Sequence, residues 1–155
     1  QEPDGDSSGH RRKKVMLVGR TYAGKTTLCQ YLRGEALKYK KTQAIEILGK
    51  ELIDTPGEYL ERRGLYRALQ VTSAEADVII FVQDATADGS MFAPMFTSMF
   101  TKPVIGVVTK CDAASEEQIA LAKKYLEGAG AKNIFLTSAV AGEGMEDVIQ
   151  YLEDH

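Results

Sequence analysis

The ten residues "GRTYAGKTTL", Gly19 to Leu28, fit the spacing G-x-x-x-x-G-K-S/T. A turn of this kind wraps backbone N–H groups around a di- or triphosphate. Gly19, Arg20, Thr21, Tyr22, Ala23 and Gly24 supply the turn. Lys25 reaches the β- and γ-phosphates, the Thr26 hydroxyl binds Mg²⁺, and Thr27 completes the nucleotide-binding set of this turn. Further on, "LIDTPGEYL" places Asp54 at a strand end, ahead of Thr55-Pro56-Gly57 and Glu58. A carboxylate there holds Mg²⁺ through water. Gly57 has no side chain to keep its N–H from a γ-phosphate, so its loop can sense whether the third phosphate is present. Thr42, in the connection between the two motifs, offers a hydroxyl to the same metal and phosphate. Lys25, Thr42, Gly57 and Glu58 are therefore the candidate catalytic residues, and Thr26, Thr42 and Asp54 the candidate Mg²⁺ ligands.

Two further motifs bear on the base. "VVTKCDA" leaves a strand through Thr109, Lys110, Cys111 and Asp112. A fixed carboxylate at Asp112 accepts two hydrogen bonds from guanine N1–H and N2–H₂, a donor pair that adenine lacks. The Lys110 stem can lie across the base. "LTSAVAGEG" leaves the next strand through Ser138 and Ala139, whose backbone N–H can donate to guanine O6. The implied ligands are GTP or GDP with Mg²⁺. Cys111, beside the base, is read as structural, since nothing around it argues for a reactive thiolate.

These residues need strand ends and helix starts to hold them. "VMLVG" (15–19), "VIIFV" (78–82) and "VIGVVT" (104–109) are short continuous apolar runs, as strands buried on both faces should be. "NIFLTS" (133–138) adds another strand. "QAIEIL" (43–48) and "ELIDT" (51–55), joined through Gly49-Lys50, predict a tight antiparallel hairpin. Helices are predicted at 24–33, at 116–127 behind a Ser115/Gln118 capping box with Gly128 as the stop, and over "GMEDVIQYLED" with Met145, Val148, Ile149 and Leu152 on one face. The expected fold is α/β, a doubly wound, mostly parallel six-stranded sheet with one antiparallel edge hairpin. In "MFAPMFTSMF" (91–100), Met and Phe each recur every four residues, with Pro94 in a first turn after Ser90. Such a wide apolar stripe suits core packing or, because Met adapts to varied contacts, a partner surface.

Composition bounds the rest. The 155 residues are enough for one domain, expected over 14–155 behind a disordered arm at 1–13 that is rich in Gly, Ser and charge. A net charge of −3 gives no basic field to gather nucleic acid. No apolar run is long enough to span a membrane, and the chain opens on polar, acidic residues rather than a secretory signal. Two cysteines, Cys29 and Cys111, make no disulfide framework. A cytoplasmic location is the natural expectation.

The order G-x-x-x-x-G-K-T, Thr, D-T-P-G, T-K-x-D, S-A resembles a small GTPase of the translation-factor-related class, with a small G domain of the P-loop NTPase type, over about residues 14–153. "GRTYAGKTTL" is similar to the TrmE–Era group. "KTQAIE" and "IDTPGEY" more closely resemble the EutP/PduV family of bacterial ethanolamine- and propanediol-utilisation operons. The resemblance implies a compact GTP-binding protein tied to a bacterial microcompartment, whose shell or enzymes it would meet through residues 57–67 or 91–100. Three positions depart from the pattern. Thr109 stands where the usual base motif has an Asn that braces the phosphate loop. Tyr22 stands where potassium-activated relatives carry Asn. Glu58 stands where Ras-like switches place a water-orienting Gln. Three readings stay open: a slow GTP-hydrolysing switch, a small-molecule kinase built on the same loop and using Arg62, Arg63 and Arg67, and a nucleotide-gated binding module with negligible turnover.

Overall fold

The computed structural model describes residues 13–20, 23–25, 27–28, 50–138 and 143–154. Five strands, β1 (Lys13–Val18), β2 (Lys50–Asp54), β3 (Val78–Asp84), β4 (Val104–Thr109) and β5 (Ile134–Leu136), form one sheet in the order β2-β1-β3-β4-β5. Every pairing among them is parallel. The helices are α1 (Glu58–Glu61), α2 (Tyr66–Ser73), α3 (Glu116–Ala129) and α4 (Met145–Asp154).

The continuous apolar strands follow from burial on both faces. One face presents Met16, Val18, Ile79, Phe81, Val104 and Val108 to Leu60 of α1, Leu69 of α2 and Ala122, Leu126 and Ala129 of α3. The other presents Val15, Leu17, Ile80, Val82, Ile105 and Val107 to Leu28 and to Met145, Val148, Ile149 and Leu152 of α4. Residues two apart on a strand share a face, so each strand feeds both cores. The doubly wound α/β architecture is thus as expected.

Several details differ from the sequence expectation. The antiparallel hairpin is not seen. Its first arm, 43–48, lies outside the described residues, and among those described β2 pairs in parallel with β1. The described sheet has five strands rather than six. The helix expected at 24–33 is described only at its start, where the Leu28 N–H donates to the Gly24 carbonyl. The Ser115/Gln118 capping box forms as expected, but α3 runs through Gly128 and ends at Gly130. Gly130 is at φ +105°, and a Cβ there would lie 2.0 Å from the Thr97 hydroxyl. Gly128 meets neither constraint, so it does not stop the helix.

The 91–100 stripe is not a helix face. Pro94 and Met95, the latter at φ +58°, leave only a single 3₁₀ turn at Phe96–Met99. The phenylalanines still reach the core. Phe81 stacks on Phe92 with ring centroids 4.5 Å apart, and Phe96 and Phe100 meet it at 5.6 and 5.9 Å. Tyr66 of α2 packs edge-on to Phe96 at 5.0 Å. The methionines divide: Met91 and Met99 pack against this core, whereas Met95 is 63% exposed. Phe81 is the hub of the cluster and is fully buried. Phe81→Ala should therefore lower unfolding free energy by about 3–5 kcal/mol, read from urea denaturation.

Candidate functional site

The strand order reverses between β1 and β3, which are neighbours in the sheet although β2 separates them in the chain. In open parallel sheets, ligands bind outside the carboxyl ends of the strands at such a point. Gly19 to Lys25 follow β1, Asp54 to Gly57 leave β2, Asp84 ends β3, Thr109 to Asp112 leave β4 and Ser138 follows β5. Every described motif therefore lies at the same edge of the sheet.

The phosphate loop is tied to the base loop. The Thr109 hydroxyl donates to the Ala23 carbonyl at 2.6 Å, in buried surroundings. Gly24 makes this approach possible: it is at φ +89°, and a Cβ there would press on the Thr109 hydroxyl at 3.2 Å. Within the loop, the Ala23 N–H donates to the Arg20 carbonyl at 3.1 Å. Thr109 thus makes a brace to the phosphate loop despite replacing the expected Asn. Lys25 is only 7% exposed, and its Nζ donates to Asp54 Oδ1 at 2.5 Å. The candidate catalytic lysine and the candidate metal carboxylate are therefore brought together. Arg20 and Thr27 are exposed. Thr21, Tyr22, Thr26, Thr42 and Ala139 lie outside the described residues.

Thr55 anchors the loop after Asp54. Its hydroxyl and N–H both donate to the Leu17 carbonyl, at 2.7 and 3.3 Å. Gly57 is the N-cap of α1, and Glu58 opens that helix with an exposed side chain. No group of three His, Cys, Asp or Glu converges among the described residues. Asp54, a half-exposed carboxylate at a strand end, nonetheless suits Mg²⁺, which takes one or two protein oxygens and fills its shell with water and phosphate.

On the base side, Asp112 Oδ1 accepts from the Ser138 hydroxyl at 2.6 Å. The Cys111 N–H donates to the Thr137 carbonyl at 3.1 Å, and the Thr137 hydroxyl and N–H both donate to Val108. The two base motifs are thereby one rigid corner. Lys110 occupies the left-handed region at φ +61°, rare for a side chain of its length, and caps the 3₁₀ turn at Cys111–Ala113. Its Nζ lies 3.0 Å from Asp84 Oδ2. Burial pushes the Cys111 thiol up, and the Asp112 and Glu143 charges add to this against a backbone hydrogen bond with Thr137. That agrees with a structural cysteine.

Sequence reasoning missed Asp84 and Thr86, because β3 was ended at Val82. The available signal was an acidic residue two positions beyond the apolar run 78–82, in "VQDAT".

The family PduV-EutP, described as ethanolamine utilisation - propanediol utilisation, matches residues 12–154. The chain belongs to this family. It is 49% identical to propanediol utilization protein PduV of Citrobacter freundii, over 90% of this chain and 93% of that one. It is 33% identical to "Probable acetate kinase EutP" of Escherichia coli K12, over 90% and 89% of the two chains. Among solved structures, the FeoB G-domain of Methanococcus jannaschii superposes with a TM-score of 0.63 at 18% identity, covering 94% of this chain and 99% of that one. The fold of this PduV–EutP family member is accordingly that of a small G domain.

The Thr109 brace can be tested without any ligand. Thr109→Val keeps the shape and removes the donor to a buried carbonyl. It should cost about 1–3 kcal/mol in urea unfolding, whereas Thr109→Ser should retain most of the stability.

Proposed function

We propose that this protein is a guanine-nucleotide switch that hydrolyses GTP slowly and serves ethanolamine or propanediol catabolism at a bacterial microcompartment. The observation that carries the reading is the Thr109–Ala23 bond, which joins a phosphate-binding turn to a T-K-x-D corner built to read guanine. Membership of a utilisation family and the G-domain fold support it.

In this reading Lys25 leaves Asp54 to meet the β- and γ-phosphates, and Gly57 offers its N–H to the γ-phosphate. Asp54 and Thr26, with Thr42 in the GTP state, would hold Mg²⁺, which supplies charge neutralisation between the β- and γ-phosphates. Attack of water on the γ-phosphorus breaks its bond to the β,γ-bridging oxygen and yields GDP and inorganic phosphate. The chain holds an exposed Glu58 where a water-orienting Gln is usual, so the nucleophile is poorly positioned. Turnover of the isolated protein should be on the order of 10⁻⁴–10⁻² s⁻¹. A shell or enzyme partner that orders residues 57–67, or engages 91–100, would raise it, with GTP favouring that partner's binding.

One relative favours a second reading. The Escherichia coli homologue at 33% identity carries the name of a probable acetate kinase, and Arg62, Arg63 and Arg67, which follow the Asp54 loop in the chain, are exposed. In that case the γ-phosphoryl passes to a carboxylate instead of water. Single-turnover phosphate release, with and without acetate, separates the two. The switch reading expects slow release that is indifferent to acetate; acyl phosphate formation, or release above about 1 s⁻¹ without a partner, would overturn it.

Two substitutions test the site itself. Lys25→Ala removes a charge-assisted contact worth roughly 1.5–3 kcal/mol, so GTP and GDP should bind about ten- to a hundredfold more weakly in calorimetry. Asp112→Asn presents an NH₂ where guanine also donates. It should lose GTP and gain xanthosine triphosphate, whose O2 accepts; unchanged GTP affinity would remove Asp112 from the base site.

A further inference from the structure

Lys110 is held from the neighbouring strand. Asp84 is the last residue of β3 and lies directly opposite Thr109 in the β3–β4 register. Its side chain is 13% exposed, against 43% for Lys110. Oδ1 accepts from both the N–H and the hydroxyl of Thr86, at 2.7 and 2.6 Å. Oδ2 accepts from Lys110 Nζ at 3.0 Å. The carboxylate is therefore clamped through one oxygen and offers the other to the ammonium.

The electrostatics agree with that geometry. Burial alone pushes the Asp84 carboxyl up, but the bonds from Thr86 and Lys110 outweigh it and hold it below the ordinary carboxylate value. Asp84 therefore carries its charge at neutral pH. Lys110 has an unusual left-handed backbone and a long side chain with many rotamers. Without an anchor for its ammonium, most of those rotamers would not lay the four-carbon stem along a flat ligand face.

We infer that Asp84, clamped by Thr86, is a positioning residue for nucleotide binding that acts through Lys110. It fixes the lysine head so that the stem offers a preformed apolar surface to the purine. The entropy of ordering that stem is met in the folded protein rather than at binding. This inference rests on the guanine-nucleotide reading above, and it concerns the base alone, not the phosphates.

The test is a double-mutant cycle read with two probes, GDP and inorganic pyrophosphate, which has no base. Asp84→Asn keeps the shape and an acceptor for Thr86 while removing the charge. It should weaken GDP about five- to thirtyfold, the range of one partly exposed charge-assisted contact, and leave pyrophosphate within about twofold. Lys110→Met keeps an apolar stem but has no ammonium to anchor. In that background, Asp84→Asn should cost less than about twofold further. Thr86→Val, which keeps the carboxylate and removes only one bond to it, should weaken GDP about two- to fivefold through the same coupling, so the inference stays testable if Asp84→Asn fails to fold. Losses that multiply in the double variants, or a parallel loss of pyrophosphate, would overturn the positioning role. If the unmutated protein binds pyrophosphate but not GDP, the guanine reading itself fails, a different and recognisable result.

Discussion

The site depends on one buried hydrogen bond, from the Thr109 hydroxyl to the Ala23 carbonyl. β1 and β4 are not neighbours; β3 lies between them. The loops that leave β1 and β4 would otherwise be joined only through the sheet. The bond closes that gap at the place where, in the proposed function, a nucleotide is gripped at both ends. It also explains a glycine. Gly24 brings the phosphate turn against Thr109 with a backbone that L side chains rarely adopt and a clearance that a Cβ would violate. Asn at position 109 has a longer reach and more donors, but a hydroxyl suffices where the carbonyl comes this close.

Around that brace, ligand-facing groups are held by partners already present. Lys25 is paired with Asp54, Lys110 with Asp84, and Asp112 with the Ser138 hydroxyl. A bare buried charge is costly, and Asp54 meets that cost for Lys25, the buried member of these groups. In the proposed function, binding would be an exchange: phosphate for Asp54 at Lys25, guanine donors for the Ser138 hydroxyl at Asp112. This suits a chain with a net charge of −3, whose overall field does not draw in an anion. A second network runs away from the site. Tyr66 of α2 meets Phe96, which meets Phe81 and Phe100, and Gln70 of α2 donates to the Met99 carbonyl. The segment after the D-T-P-G turn is thus packed against the segment that exposes Met95.

Most of the fold was legible because the strands are buried on both faces, and their apolar runs end where polar chemistry begins. "VVTK" stops as a strand at Thr109 for that reason. The α3 capping box was equally readable, since its two side chains satisfy local N–H groups. The stop at Gly130 was not. It is set by a left-handed φ and by the distant Thr97, whereas Gly128, nearer in sequence to the expected end, has open space around it. The four-residue repeat at 91–100 misled for a similar reason: Pro94 and the left-handed Met95 prevent the helix, while Phe92, Phe96 and Phe100 still find one aromatic core. In the site, fixed-spacing motifs were readable one by one. The contacts between them, Thr109 to Ala23 and Lys110 to Asp84, join residues 86 and 26 positions apart. Local pattern carries no trace of such pairs.

In the proposed function the corner after β4 reads guanine while the turn after β1 holds phosphate. Calorimetric titration of the purified, nucleotide-stripped protein with GDP and with ADP, in Mg²⁺, measures this directly. Rejection of a base lacking the hydrogen-bonding pair can reach about 10⁴–10⁵ in a site built around that pair. GDP should bind tightly and ADP at least a hundredfold more weakly. Equal affinity for the two nucleotides would contradict it.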